Sequence, residues 1–318
     1  MSFPTPWRIA VALACAGCLE IPVDSPELEA QEQAIVGGKS ANTSEFPTVV
    51  AVMFYGSVCS GTLIHPEWVL TAAHCLRGLT PARVRVAFDD DDVNDGVSRL
   101  VNAAELITHP EYDDDVWDND LGLIKLEKAV TDRPPTPIRR TAIPPGTDVL
   151  QAGFGDSSDG LGNDGVLRKL ATQTIDCATI GSPLYRGDRL LCLDSADGDG
   201  TCYGDSGGPT FVRVAGRRYL VGVTSGGTED SCRRGFDLQT LVPAELDFLT
   251  AHVTDLPADD GVGNGPPEPN APEDLARADE EAAGCSAAGP GGAGGLVLLG
   301  LAAVLAPLRP RRRARVPE

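Results

Sequence analysis

Short apolar runs separated by turn-forming residues make up most of the chain between residues 35 and 253. Thr48–Phe54, Arg83–Val86 and Tyr219–Val223 are examples, and Gly, Pro, Asp and Asn recur between such runs. Runs of this length and setting are typical of β-strands. The longest helix-like stretch in this region is Pro243–His252. The pattern therefore predicts an all-β body with one helix near its C-terminal end.

Composition supports that interpretation and excludes one class of partner. The chain has 318 residues with Gly 36, Pro 25 and only Met 2, which favours turns and strands over helices. Its formal net charge of −20 would repel the phosphates of nucleic acid, so no nucleic-acid partner is expected. No stretch between residues 35 and 253 is long and apolar enough to span a bilayer.

Three short segments supply residues for nucleophilic catalysis. Residues 71–75 read Thr-Ala-Ala-His-Cys, residues 118–123 read Asp-Asn-Asp-Leu-Gly-Leu, and residues 204–209 read Gly-Asp-Ser-Gly-Gly-Pro. A serine hydroxyl is a weak nucleophile, and it needs a base whose tautomer and charge are fixed by a third group. His74, Asp120 and Ser206 provide these three groups in the order His, Asp, Ser. We expect the other histidines, His65, His109 and His252, to be surface or packing residues.

These segments, together with Ile-Val-Gly-Gly at residues 35–38, resemble the chymotrypsin/trypsin-type serine endopeptidases from Ile35 to about Val253. The resemblance implies two six-stranded antiparallel β-barrels with a C-terminal helix and the active site between the barrels. It implies peptide-bond hydrolysis through an acyl-enzyme, with Ser206 as nucleophile, His74 as general base and Asp120 as its partner. The backbone N–H groups of Gly204 and Ser206 would form the oxyanion hole, the substrate would be a protein or peptide, and no cofactor would be required.

The sequence disfavours two other functions. Some proteins with this fold bind or signal without activity, but those have typically lost a triad member, and all three members are present here. An esterase on an α/β-hydrolase fold is disfavoured by the order of the triad and by the lack of a Gly-x-Ser-x-Gly elbow around Ser206.

The resemblance also assigns six of the nine cysteines to disulfides. The implied pairs are Cys59–Cys75, Cys177–Cys192 and Cys202–Cys232. Each would contribute roughly 3 kcal/mol in the chain-entropy model, and three bridges imply an oxidising compartment. Many relatives carry a further bridge where this chain has Val149 and Val212, so we expect these two valine side chains to touch.

The N-terminal residues indicate export and activation. Residues 1–18 have the charge, apolar run and small residues of a signal peptide, and 19–34 would be an acidic propeptide. Lipidation at Cys18 and simple cleavage both remain open. By resemblance, a protease that cuts after Ala34 would free the Ile35 amine to pair with Asp205, which orders the oxyanion hole.

The C-terminal residues differ in character from the body. Residues 254–284 are acidic and rich in Pro, Gly and Ala, which predicts a flexible stalk. Residues 285–318 contain Cys285, an uncharged stretch and an arginine cluster, and they resemble the MYXO-CTERM-type sorting tails of bacterial surface proteins. Processing near Cys285 and retention as a membrane anchor are both compatible with this pattern. The expected location is secreted or at the cell surface.

The substrate pocket is assigned by position within the resemblance. Gly200 and Thr201 would form its floor, while Ser225 and Gly227 would line an open entrance. Trypsins carry Asp at the floor position, so simple Lys/Arg specificity is not expected. Asp237 would lie near the pocket base, or it would face solvent if its loop shifts by one or two residues. We therefore expect cleavage after medium apolar residues, with secondary cleavage after Lys or Arg if Asp237 reaches the pocket.

An acidic run at residues 89–95 lies where many trypsins have a calcium loop. Asp90, Asp92 and Asp95 with the Val93 carbonyl could supply part of the six to eight oxygens that Ca²⁺ takes. A solvated acidic turn is the alternative, and it is the one that the sequence favours.

Overall fold

A computed structural model describes residues 35–157, 165–195, 198–229, 231–257 and 261–275. The predicted signal peptide, the propeptide and the sorting tail lie outside these residues. The strands are β1 (Lys39–Ser40), β2 (Val49–Phe54), β3 (Ser57–His65), β4 (Trp68–Thr71), β5 (Arg85–Phe88), β6 (Arg99–Thr108), β7 (Gly122–Leu126), β8 (Asp148–Gly153), β9 (Arg168–Ile175), β10 (Leu190–Asp194), β11 (Pro209–Val214), β12 (Arg217–Gly227) and β13 (Phe236–Leu241). The helices are α1 (Ala73–Leu76), α2 (Leu246–His252) and α3 (Pro272–Leu275), with 3-10 turns at Pro81–Arg83, Cys177–Ile180 and Val242–Glu245.

The strands form two closed six-stranded antiparallel barrels, as predicted. The first barrel closes in the order β2-β3-β4-β7-β6-β5. The second has the order β9-β10-β13-β12-β11-β8, is closed by pairing of β8 with β9, and carries the short β1 at its edge. Because each barrel is closed, few of its strand edges are left without a hydrogen-bonding partner.

Each barrel has its own apolar core, and a third cluster joins them. Val50, Val86 and Ile124 lie in the core of the first barrel. Val149 and Val212 are fully buried in the core of the second, on strands β8 and β11, which pair with each other. Their place in one cluster fits the predicted apolar contact at the missing bridge. The shared cluster includes Phe46 and Phe211, whose rings stack 6.1 Å apart, and it fixes one barrel against the other.

The predicted terminal helix and disulfides are present. Pro243 lies in the 3-10 turn Val242–Glu245, which leads directly into α2, and α2 ends at His252 as expected. The three bridges join the six cysteines assigned from the sequence, Cys59–Cys75, Cys177–Cys192 and Cys202–Cys232.

Residues 261–275, called the docked segment below, fell within the predicted flexible stalk, but in the structure they pack on the second barrel. Glu268 forms a bridge with Arg213, and its carboxylate accepts hydrogen bonds of 3.0 Å from the N–H groups of Ala215 and Gly216. Asp274 is buried and pairs with Arg213 and Arg218 at 2.7 and 2.5 Å. This packing could not be predicted from the sequence. The segment is held by backbone hydrogen bonds and ion pairs, and these produce no regular spacing of apolar residues.

Within the described ranges, no helix is long and apolar enough to cross a membrane. The predicted anchor at residues 285–318 lies outside those ranges.

Candidate active site

Asp120 and His74 meet at the inner side of the first barrel. His74 lies in α1, directly after β4, and Asp120 lies two residues before β7, which pairs with β4. The His74 Nδ1–Asp120 Oδ2 distance is 2.7 Å, and the His74 backbone N–H donates to Asp120 Oδ1 at 2.9 Å. Because Nδ1 faces the carboxylate, Nε2 is the nitrogen that remains to exchange a proton.

Two residues of the second barrel complete the surroundings of Asp120. The Ser225 hydroxyl donates to Oδ2 at 2.7 Å, and the Thr240 hydroxyl donates to the Asp120 carbonyl oxygen at 3.1 Å. Asp120 has no exposed surface, so the Ser225 hydroxyl replaces water that its carboxylate would otherwise bind, and the Thr240 hydroxyl satisfies its backbone carbonyl. The position of Asp120 therefore depends on both barrels.

Ser206 stands on a turn that the first barrel holds in place. The Ser60 N–H donates to the Ser206 carbonyl oxygen at 2.8 Å, and the Ser60 hydroxyl donates to the Gly204 carbonyl oxygen at 2.9 Å. Ser206 is half-buried and lines the same cavity as His74. Among the described residues no hydrogen bond joins its hydroxyl to the imidazole, a contact that often tightens only when substrate binds.

The backbone of this turn leaves two donors available. Gly204 has φ +98°, which a glycine adopts without strain. Within the described residues, neither the Gly204 N–H nor the Ser206 N–H is donated to another protein group, whereas those of Asp205 and Gly207 are. Two neighbouring unused N–H groups beside a serine can bind a negatively charged oxygen.

Asp205 is buried next to the segment that begins at Ile35. Its carboxylate accepts hydrogen bonds from the N–H groups of Gly155 at 2.8 Å and Cys202 at 2.9 Å. Burial raises its pKa to about 7, although these two N–H groups oppose the shift. Ile35 is fully buried, and the following residue, Val36, pairs with Gly200.

A cavity of about 360 Å³ extends from His74 and Ser206 into the second barrel. Thr201, Ser225, Gly227 and Asp237 line it, as the resemblance implied. Gly200 is buried behind this lining, where an added Cβ would lie 3.2 Å from Asp237 Oδ1.

Asp237 is 5% exposed and does not face solvent, the alternative that the sequence left open. Its Oδ2 accepts a hydrogen bond from the Thr201 N–H at 2.8 Å. Burial raises its pKa to about 6. An acid at the inner end of a cavity can attract a cationic side chain once it is ionised.

Trp117, a residue of the loop before Asp120, is a site residue that could not be identified from the sequence. Its indole lies edge-to-face to the His74 ring with centroids 6.3 Å apart, and it lines the cavity. A Cβ added to Gly226 would touch this indole at 3.4 Å, so Trp117 fills the space beside Gly226. A glycine at position 226 indicates that another group occupies the space beside it, but the sequence does not identify that group.

The residues that the sequence offered as calcium ligands do not form a cluster. Asp90 Oδ1 accepts hydrogen bonds from Ser98, and Asp92 Oδ1 accepts one from the Asn94 N–H. The carboxylates of Asp90, Asp92 and Asp95 do not all come within 4.8 Å of one another in the described chain. The residues therefore do not fit a calcium site as arranged, and the hydrogen bonds are those of an acidic turn.

Cys59, Cys75 and His74 lie close enough to hold a metal ion, but their chemistry does not fit one. The two sulfur atoms are bonded to each other, so neither is a thiolate that could bind a metal.

Comparison with known proteins agrees with this geometry. Residues 35–247 match the model of the trypsin family. A vitellin-degrading protease of Bombyx mori is 30% identical over 256 residues, covering 77% of this chain and 95% of the relative. Brachyurin of Leptuca pugilator is 33% identical (68% and 96% covered), and trypsin of Sus scrofa is 32% identical (62% and 85% covered). The chain therefore belongs to the trypsin family, and it is a serine endopeptidase.

Proposed function

We propose that the protein cleaves peptide bonds through an acyl-enzyme on Ser206. His74 Nε2 takes the proton of the Ser206 hydroxyl as the oxygen attacks the scissile carbonyl carbon, and it then gives that proton to the leaving amine. Water attacks the resulting ester with the same base, which releases the acid and restores the serine. Asp120 holds the imidazole and stabilises its positive charge. The observation that carries this proposal is the 2.7 Å His74–Asp120 contact in the cavity that Ser206 lines.

In this mechanism the oxyanion is bound by the N–H groups of Gly204 and Ser206. Their lack of partners in the described protein supports this role. Loss of one such donor typically costs about 3 kcal/mol in the transition state.

We further propose activation by cleavage after Ala34, which lies outside the described residues. The new Ile35 ammonium would pair with Asp205. The burial of Ile35 and the pairing of Val36 with Gly200 support it, because they bring the segment beside the 201–205 turn. A buried carboxylate gains most from a cation in its own low-dielectric surroundings, so the pair would order that turn.

For specificity, we propose cleavage after medium apolar residues together with Lys and Arg. The absence of a side chain at Gly227 leaves room for an apolar side chain, and Asp237 offers a carboxylate to a basic one. The three disulfides support secretion, because such bonds persist in oxidising compartments. Attachment through residues 285–318 and processing near Cys285 remain predictions from the sequence.

A fluorophosphonate probe tests the central claim. The activated protein should be labelled at Ser206, and Ser206→Ala should abolish both labelling and peptide cleavage. The Ser225→Ala variant, which loses one hydroxyl bonded to Asp120, should still be labelled at a reduced rate. Equal labelling of the wild type and Ser206→Ala, or no cleavage of any peptide by a separate, unlabelled sample of the activated wild type, would favour the inactive binding protein instead.

A further inference from the structure

A polar cluster at the contact between the barrels lies directly behind Asp120. It consists of Asn119, Arg189, Glu245 and His109, and it is called the inter-barrel clamp below. Asn119 and His109 belong to the first barrel, whereas Arg189 and Glu245 belong to the second. Glu245 is 3% exposed, which is unusual for a glutamate and calls for partners.

Glu245 has two such partners, one on each barrel. Its Oε1 lies 3.1 Å from Arg189 Nη1, and its Oε2 lies 3.3 Å from His109 Nε2. His109 Nδ1 accepts the Glu111 N–H at 3.1 Å, so Nε2 is the nitrogen that carries the proton toward Glu245. Burial lowers the pKa of His109, which keeps the ring neutral near pH 7. The histidine that was expected to be a surface or packing residue thus lies against a buried acid of the other barrel.

Arg189 extends the cluster to the residue before Asp120. Its Nη1 lies 3.4 Å from Asn119 Oδ1, and Asn119 Nδ2 donates to the Glu111 carbonyl oxygen at 2.9 Å. Asn119 has φ +57°, a left-handed conformation that asparagine tolerates better than most residues. Its carbonyl oxygen accepts the Leu121 N–H at 2.7 Å, which closes a tight turn around Asp120. The side chain of Asn119 is therefore fixed at both ends while its backbone sets the direction of Asp120.

We propose that the inter-barrel clamp positions Asp120, and through it His74, relative to Ser206. His74 and Asp120 stand on the first barrel and Ser206 on the second, so proton transfer depends on how the barrels are held together. The clamp joins the barrels one residue away from Asp120 through the Arg189–Asn119 and Glu245–His109 contacts, while the Arg189–Glu245 ion pair within the second barrel holds these two side chains in place. This inference rests on the proposed function, because it concerns the same proton transfer.

Glu245→Gln tests the clamp with little change of shape. The neutral amide no longer holds Arg189, which is about a third exposed and can turn to solvent. Since small displacements of reacting groups cost large factors in rate, we expect kcat to fall about ten-fold with KM within about two-fold. The acid limb of the pH profile of kcat/KM should move to lower pH, because a looser Asp120 carboxylate stabilises the protonated form of the base less. Glu245→Asp, which keeps the carboxylate, should retain part of kcat.

Asn119→Gly is the second variant. Glycine accepts φ +57° without strain but removes the amide that Arg189 holds. It should lower kcat and shift the pH profile in the same direction. The double variant with Glu245→Gln should lose no more than the worse single variant, since both act through one contact.

Asp274→Asn is the matched control, because Asp274 is also a buried acid paired with arginine but contacts none of the cavity-lining residues. It should lower stability and leave kcat and the pH profile unchanged. Unchanged kcat and pH profiles in both Glu245→Gln and Asn119→Gly would overturn the inference and reduce the clamp to a stabilising contact. A wild type that neither cleaves peptides nor reacts with the fluorophosphonate would instead refute the proposed function.

Discussion

At Asp237, burial and charge act against each other within the substrate cavity. Burial disfavours the carboxylate and raises its pKa to about 6, while the Thr201 N–H stabilises it. The acid is therefore largely neutral below pH 6 and largely ionised above it. A basic substrate residue needs the ionised form, whereas an apolar one does not.

The specificity of the enzyme should consequently change with pH. In the wild type, the ratio of kcat/KM for a Lys peptide to that for a Leu peptide should rise as pH increases from 5 to 8. In Asp237→Asn the ratio should be low and flat, with the Lys peptide losing about 3 kcal/mol, or roughly 100-fold. Glu229→Gln at the cavity rim controls for general attraction of cations and should change the ratio little. If this kcat/KM ratio did not change with pH in the wild type, Asp237 would have no part in substrate recognition.

Asp205 makes a separate prediction for the uncleaved precursor. Its pKa is about 7 in the folded chain and near 3.8 when unfolded, so the folded state binds the proton more tightly. The resulting stability is fully present below about pH 4 and is lost as pH rises through about 7. Precursor Asp205→Asn should therefore lose less stability than the wild-type precursor between pH 5 and 8. Urea denaturation across this range measures it, and parallel curves would contradict the expectation.

At the scale of elements, the turn that carries Ser206 is shaped by glycines packed against the first barrel. Gly207 has φ +82°, and an added Cβ would lie 2.0 Å from Thr71 Oγ1 and 2.4 Å from the Ser60 carbonyl oxygen. Gly216 in the β11–β12 turn has a similar φ of +72° but nothing within 4 Å of an added Cβ. Alanine at Gly216 would therefore introduce backbone strain alone, whereas alanine at Gly207 would add a steric clash to the same strain.

Alanine at these two sites should give very different results. Gly216→Ala should cost about 1 kcal/mol, since only the left-handed conformation is penalised. Gly207→Ala should cost about 2–4 kcal/mol and lower kcat, because the collision must move the turn that holds Ser206. Urea denaturation and peptide kinetics report both effects. Equal stability losses would mean that the turn yields without strain.

The elements that could be predicted from the sequence are those with local signals. His74, Asp120 and Ser206 each stand in a short distinctive segment, so their roles could be proposed before their distances were known. Trp117, Arg189 and Glu245 have no such segment, because their importance arises only when two barrels bring distant positions together. Asp237 stands between these cases, since its loop could be placed only to within one or two residues and burial decides its role.

At the scale of the molecule, the docked segment extends the protease body beyond residue 247, where the family match ends. Asp274 of this segment supplies the counter-charge of Arg213 and Arg218, and Arg139 donates to the Gly263 carbonyl oxygen at 2.7 Å. A body of strands and turns could be predicted from apolar periodicity. A segment held by carboxylates and carbonyl groups could not.

Removing the docked segment should destabilise the enzyme. A chain that ends at residue 257 leaves Arg213 and Arg218 without Asp274, and breaking such a partly buried network typically costs about 3–5 kcal/mol. A chain that ends at residue 275 should match the longer protein in urea denaturation. Active-site titration should show similar activity per folded molecule in both, because the segment does not contact the residues lining the cavity. Equal stability of the two chains would show that the segment docks without holding the barrel.

The Cys59–Cys75 bridge ties the chemistry of the enzyme to its surroundings. Cys75 follows His74 directly, and Cys59 precedes Ser60, which holds the turn of Ser206. One covalent bond thus reaches both sides of the proposed proton transfer. Reduction of this bond would loosen the alignment at the covalent link nearest the chemistry, so we expect a thiol reductant to lower the peptidase activity of the enzyme.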